Sequence, residues 1–343
     1  MTGPVFLDAE RVARALAPDA AVDAVRAALA DGLDPALDAA RIQVPLASGE
    51  FLLMPSGSVT AAGVKVLTVA PANPAAGLPR IQGLYLLADA ATLSPRAVLD
   101  GAALTTLRTP AVSFAAVREL LLAPLEVPSP VGGPEFEHSS GRWGLQRGAD
   151  AGGRAQGAGA AASAPLDVVV FGAGPQAEAH LATLRAVLDG RRALGTVTRV
   201  ARRPRRGAVV AGSAEASTAL AAAGLIVCAT TAREPLFDGS LVRADAVVIA
   251  VGSHEPDARE LDAALMGRAS VIVEDPATAL REAGDVVLAV AEGFLDPASL
   301  IPMRDVVRGG ARLPAGLPVV FKSTGMSWED LAIAEAVANA AGA

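Results

Sequence analysis

The run Val168-Val-Val-Phe-Gly-Ala-Gly-Pro-Gln-Ala-Glu-Ala-His180 joins an apolar strand, a two-glycine turn and the start of an alanine-rich helix. A helix start exposes unpaired backbone N–H groups and the positive end of the helix dipole, which together hold a pyrophosphate. Gly172 permits the sharp turn, and Gly174 lets the phosphate approach the backbone. Ala177 stands where a third small residue allows the helix to pack closely on the sheet. A Gly-x-Gly alone often marks only a turn, so the flanking strand and helix carry the expectation of a nicotinamide dinucleotide site. A strand ending near Ala201 would place the next side chains beside the adenosine ribose, where an NAD-specific site presents Asp or Glu. This chain has Arg202-Arg203, then Arg205-Arg206. Contact of Arg202 or Arg203 with a 2′-phosphate is expected, which favours NADPH and leaves NAD(H) as the alternative. The competing reading of these arginines is a solvated basic turn.

The expected fold class is α/β. Strands are expected at Leu166–Phe171, Thr196–Ala201, Leu225–Ala229, Ala246–Val251, Ser270–Val273 and Asp285–Val290. Their apolar residues run consecutively rather than alternating, which favours parallel strands covered on both faces. The connection from Arg203 to Leu225 looks short, so its helix is expected to be trimmed or replaced by a loop. Ahead of this region, helices are expected around Asp8–Leu16 and Asp19–Leu29, with Asp8 and Asp19 as N-caps. Val22, Val25 and Leu29 recur there at helical spacing. Turn-separated strands at Ile42–Leu46, Phe51–Met54, Val64–Val69 and Ile81–Ala88 suggest an antiparallel or mixed sheet. Thr109–Leu122 reads as a helix with Pro110 in its first turn.

Pro124–Pro165 is rich in Pro, Gly, Ser and Ala and lacks periodicity, as expected of a disordered or surface-laid insertion. Within it, Trp143 and Leu145 are potential anchors and His138 is expected to face solvent. A last strand, Pro318–Lys322, precedes a helix from about Ser327 to Asn339 with Ser327 as its cap. The expected division is 1–123 for a first domain, 124–165 for the insertion, 166–299 for the dinucleotide domain, and 300–343 for a segment returning to the first domain.

The 343 residues can bury a large core, and the formal charge of −7 disfavours a general nucleic-acid surface. No apolar run is long enough to cross a bilayer, and Met1–Asp8 lacks the pattern of a secretory signal, so a cytoplasmic location is expected. The one cysteine, Cys228, lies in an apolar run and reads as a buried structural thiol; three scattered histidines suggest no metal centre.

Several uncommon motifs occur together: Leu53-Met-Pro55, Gly63-Val-Lys65, Pro71-Ala-Asn73, Leu99-Asp-Gly101 and Leu104-Thr-Thr-Leu-Arg-Thr109. Gly172-Ala-Gly-Pro-Gln-Ala177, Ala229-Thr-Thr231, Val251-Gly-Ser-His254 and Phe321-Lys-Ser-Thr-Gly325 follow in order. In these the chain resembles the ornithine cyclodeaminase and mu-crystallin family. The resemblance implies a Rossmann-like dinucleotide domain plus a mixed α+β substrate and dimerisation domain, and a homodimer. It also implies a small amino-acid-like or cyclic imine substrate whose carboxylate is held by Arg41, Lys65 and Arg108. A guanidinium fork suits both carboxylate oxygens, and the Lys65 ammonium adds a point charge. The competing reading for all three is that they form ordinary structural ion pairs or face solvent. Gly172, Gly174, Gln176 and Ala177 correspond to the family's phosphate loop. Thr230 follows a strand and can position a hydroxyl near the dinucleotide, while Ser253 and Ser323 correspond to family positions near the nicotinamide end, each serine equally suited to a helix cap or a turn.

Family members that deaminate ornithine carry an aspartate at the His254 position and a glutamate at the Leu52 position. Without that carboxylate pair, cyclodeamination lacks its proton-transfer groups, whereas an iminium carbon is already activated for hydride. His254 can still donate a proton or a hydrogen bond. The leading expectation is therefore NAD(P)H-dependent reduction of a cyclic ketimine carboxylate, pyrroline-2-carboxylate or piperideine-2-carboxylate, to proline or pipecolate. The alternatives are ornithine cyclodeaminase using bound NAD, another amino-acid dehydrogenase, and a non-enzymatic NADPH-binding protein.

Overall fold

A computed structural model describes residues 3–122 and 164–343. The expected insertion, with His138, Trp143 and Leu145, lies outside these residues except for Ala164 and Pro165. The first lobe starts with β1 (Val5–Leu7), α1 (Ala9–Ala15) and α2 (Pro18–Ala30). It continues through β2 (Ile42–Leu46), β3 (Gly49–Gly57), β4 (Ala61–Val69), β5 (Ile81–Asp89), β6 (Pro95–Asp100) and α3 (Gly101–Leu122). Its six-stranded sheet has the order β1-β6-β5-β4-β3-β2, antiparallel except for the parallel β1–β6 pair.

Asp8 caps α1 as expected, accepting from the Arg11 N–H, but α2 opens at Pro18 behind Ala17. Asp19 therefore lies inside the first turn, where its charge complements the helix dipole without capping it. Val22, Val25 and Leu29 are fully buried.

Helix α3 corrects a larger expectation: it begins directly after β6, with Pro110 in its interior rather than its first turn. Gly101 makes the strand-to-helix switch without a loop, because a Cβ there would lie 2.8 Å from the Gly83 carbonyl group. Asp100 accepts the Ala103 N–H. Pro110 removes one helical N–H, yet nearly every residue from Arg108 to Val117 is buried against neighbouring elements. Tertiary packing outweighs the cost of an interior proline, about 3 kcal/mol.

The second lobe is a parallel sheet of order β13-β12-β14-β11-β10-β7-β8-β9. Its elements are β7 (Leu166–Phe171), α4 (Pro175–Leu188), β8 (Leu194–Ala201), β9 (Val209–Val210), α5 (Ala214–Ala222) and β10 (Leu225–Cys228). Then come β11 (Val247–Ala250), α6 (Ala263–Arg268), β12 (Ser270–Val273), α7 (Pro276–Glu282) and α8 (Gly284–Ala291). The chain closes with β13 (Ile301–Pro302), α9 (Met303–Val307), β14 (Val319–Lys322) and α10 (Ser327–Ala340). The Rossmann-like pattern holds, with two differences from expectation. The helix after β8 is kept in short form as α5, nine residues capped by Ser213, and is not replaced by a loop. Asp285–Val290 is helical rather than extended, because Val286 and Ala289 bury one helical face while Asp285 meets a buried lysine. Strands β13 and β14 join this sheet, β14 mid-sheet between β11 and β12, whereas α9 between them packs on α2 and α3 of the first lobe, so the segment from residue 300 contributes to both lobes.

After β14 the chain crosses back, and α10 packs on β3, β4, β5 and α3. Ser327 is its first helical residue rather than its cap; the Glu329 carboxylate accepts the Met326 N–H at 2.9 Å. Cys228 is buried, which pushes its thiol pKa up.

Beneath the carboxyl ends of β10, β11 and β14 lies a fully buried charge network. Lys322 Nζ donates to the Ser253 carbonyl at 2.6 Å and lies 2.9 Å from Asp285 Oδ2. Asp285 Oδ1 accepts the Glu260 and Leu261 N–H groups, and Glu260 in turn accepts from Thr230 and Gly252. A buried cation stripped of its counter-ion keeps its desolvation cost. Asp285→Ala should therefore destabilise the fold by about 3–5 kcal/mol, read as a lowered urea midpoint.

Candidate active site between the two lobes

Strand alternation explains how a lysine comes to be buried. Lys65 shares the inward face of β4 with Ala61 and Leu67, beneath α10, and is 1% exposed. Arg108 lies on α3 and is also buried. The structure brings the two together on one carboxylate. Asp330 Oδ2 receives Lys65 Nζ at 2.6 Å, while Oδ1 stands 3.5 Å from Arg108 Nε. Arg108 Nη1 also donates to Glu329 Oε2 at 2.5 Å.

Burial lowers the Lys65 pKa to about 8 despite the opposing pull of Asp330. For Arg108 burial acts the same way, but Asp330 and Glu329 outweigh it and the pKa rises. Burial, reinforced by Glu274, holds the Glu329 carboxyl well above its usual range. Glu274 itself is held low, since hydrogen bonds from Glu329, Ser323, Thr324 and Gly325 overcome burial.

Arg41 reaches the same place from the segment before β2. Its Nη2 lies 2.8 Å from Glu282 Oε2 and donates to the carbonyls of Thr324 and Gly325 at 3.2 and 3.1 Å. Gly325 connects the two groups, because a Cβ there would meet the Arg108 guanidinium at 2.7 Å. A cavity of about 120 Å³ opens beside them, lined by Arg41, Met54, Asp38, Glu282, Gly325 and Met326. Met54 pairs across the sheet with Lys65, so this cavity adjoins the Lys65–Arg108 pair. His254 is exposed, and its pKa is lowered by partial desolvation and then by Arg41, so it stays neutral around neutral pH. The acids Asp330, Glu329, Glu274 and Glu282 were not anticipated from sequence. The available signal was their position: Glu274 directly follows β12, and Glu329-Asp330 opens the helix after β14, both at carboxyl ends of parallel strands.

The phosphate loop has the expected shape. Gly172 has φ +114°, and a Cβ there would lie 2.4 Å from the Ala229 carbonyl oxygen. Gly174 is the N-cap of α4, and its missing Cβ faces open space. Ala177 is fully buried between helix and sheet. Gln176 turns to the other lobe, its Nε2 donating to the Thr105 carbonyl of α3 at 3.3 Å. One turn later, buried His180 sits 3.1 Å from Ser113 Oγ and 2.7 Å from the Gln176 carbonyl. Burial drops its pKa to about 4, so the neutral ring donates from Nδ1 and accepts at Nε2.

A cavity of about 270 Å³ beside Gly172 and Ala173 is lined by Glu178, Arg199, Arg205 and Arg206. Arg202 and Arg203 are exposed and do not line it. The reason is a turn: Arg205 bridges Ala208 across Gly207, at φ +74°, and this folds the second arginine pair towards the loop. The three hydroxyls are already engaged. Thr230 Oγ1 donates to Glu260 at 2.7 Å, Ser253 Oγ to the Ala258 carbonyl at 2.5 Å, and Ser323 Oγ to Glu274 at 2.6 Å. They fasten the loops at the strand ends. The open space at Gly174 and the cationic cavity fit a dinucleotide pyrophosphate. Gly174→Val should leave stability within about 0.5 kcal/mol while abolishing tight NAD(P)H binding in a fluorescence titration.

Comparison with known proteins agrees with this geometry. A Delta(1)-pyrroline-2-carboxylate/Delta(1)-piperideine-2-carboxylate reductase of Azospirillum brasilense is 30% identical over 339 residues, spanning 96% of this chain and 93% of that protein. Among solved structures, a Thermococcus litoralis Delta(1)-pyrroline-2-carboxylate reductase in complex with NADH and L-proline superposes with TM-score 0.75 at 22% identity, covering 98% and 97% of the two chains. An archaeal alanine dehydrogenase dimer with bound NAD also gives 0.75, at 24% identity and 98% and 96% coverage. The family model matches residues 3–126 and 160–343, and the chain belongs to the ornithine cyclodeaminase/mu-crystallin family.

Proposed function

We propose that this protein is an NAD(P)H-dependent oxidoreductase that reduces a cyclic ketimine carboxylate, pyrroline-2-carboxylate or piperideine-2-carboxylate, to proline or pipecolate. The observation that carries this reading is the convergence of Lys65 and Arg108 on one carboxylate, beside a cavity that Arg41 closes from the other side. A carboxylate of the substrate replaces Asp330 or Glu329 on these cations. A reduced nicotinamide supplies hydride to the C=N carbon.

The protein's part is alignment. Arg108 and Lys65 fix the carboxylate next to the reacting carbon, and the α3–α4 contacts fix that pair relative to the phosphate loop. His254, exposed and held neutral by desolvation and by Arg41, is the group proposed to orient the substrate ring. Register supports reduction over cyclodeamination: β3 and β4 pair without a bulge, with Leu52 opposite Leu67 and Glu50 opposite Val69. Glu50 therefore stays two residue pairs beyond Leu52 and does not supply the missing acid beside Met54 and Lys65.

A homodimer is part of the proposal. Ile42, Val44, Leu46, Leu84 and Leu86 are exposed on the first lobe's sheet, an apolar surface suited to a second copy. Among the described residues no helix is long and apolar enough to cross a membrane.

NADPH absorbance followed with preformed cyclic imines, in parallel with ammonia release from ornithine, tests the reaction. Imine turnover with little ammonia is expected; ammonia and proline from ornithine, with slow imine reduction, would reverse the order. Cofactor binding with no turnover of any substrate would favour a non-enzymatic binder. In a folded Arg108→Ala variant, kcat/KM for the imine should fall by about 30- to 1000-fold, equivalent to about 2–4 kcal/mol, with the cofactor Kd nearly unchanged.

The position of Arg205 and Arg206 beside the phosphate loop supports NADPH as the preferred cofactor. Replacing both with alanine should raise the NADPH Kd by about tenfold or more and leave the NADH Kd within twofold. Equal effects on the two cofactors would show that these arginines do not read the 2′-phosphate.

A further inference from the structure

Among the described residues, the cavity between the lobes contains one acid that no cation claims. Glu282 takes both arginines of the lining, Arg41 on Oε2 at 2.8 Å and Arg281 on Oε1 at 2.6 Å. Asp275 caps α7 by accepting the Thr278 N–H at 2.8 Å. Asp38, from the segment before β2, lines the same cavity, is half-buried, and is held by neutral donors only. Ser56 Oγ donates to its Oδ1 at 2.7 Å, and the Trp328 N–H donates to its Oδ2 at 2.9 Å.

Both donors belong to elements that build the cavity. Ser56 follows Met54 by two residues and so shares its face of β3. Trp328 is the second residue of α10, where a backbone N–H has no partner within the helix. Each Asp38 oxygen thus accepts one hydrogen bond, whereas a carboxylate has about four acceptor sites. Burial pushes its carboxyl pKa up despite these bonds, as expected of an anion without a counter-ion.

The reactive form of a cyclic ketimine carboxylate is a zwitterion, with a carboxylate beside a protonated C=N nitrogen. Lys65, Arg108 and Arg41 match the carboxylate. Leu52 is apolar and His254 is neutral, so neither matches the ring charge. We propose that Asp38 accepts the N–H of the cationic ring nitrogen and so selects a charged ring over a neutral one. Hydride forms the new C–H bond, the π pair of the C=N bond becomes a lone pair on nitrogen, and water protonates it. Asp38 stays an anion throughout and faces a cation in both substrate and product. This deepens the cyclic-ketimine reading and rests on its carboxylate anchor.

Two ligands separate ring charge from ring shape: L-proline carries a ring ammonium, and pyrrole-2-carboxylate carries an uncharged ring N–H. Their Kd values are measured by calorimetry at neutral pH with reduced cofactor present, so that neither ligand reacts. The full-length protein is compared with Asp38→Asn, whose amide oxygen can still accept the Trp328 N–H and whose amide nitrogen can donate to Ser56 Oγ. The proline Kd should rise about tenfold or more, and the pyrrole-2-carboxylate Kd by no more than about threefold. Lost support for α10 would weaken both ligands together, so a parallel change overturns the proposal, as does an unchanged proline Kd. Asp38→Ser, a residue suited to helix starts, is a second neutral variant that should show the same split even where Asp38→Asn does not fold. Absence of the split in Asp38→Ser overturns the proposal. If neither ligand binds the unaltered protein, the carboxylate anchor fails and the role of Asp38 falls with it; if both bind and no split appears, the role of Asp38 alone falls.

Discussion

Asp330, placed between Lys65 and Arg108, is the contact on which the site depends. A lysine on the inward face of a sheet and an arginine on a buried helix are each unaffordable alone, since an isolated buried charge costs far more than folding can supply. Two adjacent carboxylates of the last helix resolve both: Asp330 takes Lys65 and stands beside Arg108, and Glu329 takes Arg108 directly. They explain why the chain, having completed a parallel sheet with β14, returns to lay α10 across β4, β5 and α3. On the reading proposed above, a substrate carboxylate would exchange with one of them in a site whose cations are already oriented.

The second lobe uses the same device for a different end. Lys322, Asp285 and Glu260 hold the loops after β10, β11 and β14 in one arrangement through hydrogen bonds to backbone N–H and carbonyl groups. Between the lobes the fastening is neutral. Gln176 and His180 tie the phosphate-binding helix α4 to α3, the helix that carries Arg108. On the proposed reading, the cofactor loop and the substrate anchor thus share one support, as hydride transfer between them would demand.

What could be read from the sequence divides along the same physical line. The phosphate loop was legible because its requirements are local: a positive φ at Gly172, a small residue at Ala177, a strand before and a helix after. The parallel strands were legible because continuous burial leaves a continuous apolar run. Pro110 misled because a local helix breaker was overridden by the packing of α3 on several neighbours at once. The run Asp285–Val290 misled because short apolar stretches suit either period, and the deciding contact, Asp285 to Lys322, is not local. Asp330, Glu329 and Glu274 were missed for the corresponding reason. Each is an ordinary acid at a helix start or strand end until the fold sets a buried cation against it.

The cofactor side shows how fine that distinction becomes. Both arginine pairs after β8 meet the compositional criterion for a 2′-phosphate site, since no acid stands where a ribose hydroxyl would be bound. Only the turn through Gly207 distinguishes them, leaving Arg202 and Arg203 in solvent and bringing Arg205 and Arg206 beside Gly172. Glu178 is nearby and would repel a phosphate, but it is held bidentately by Arg199. With that acid neutralised by a strand residue, the free charge facing the cavity is positive. Its sign follows from where one hairpin turns, and not from the number of arginines in the segment.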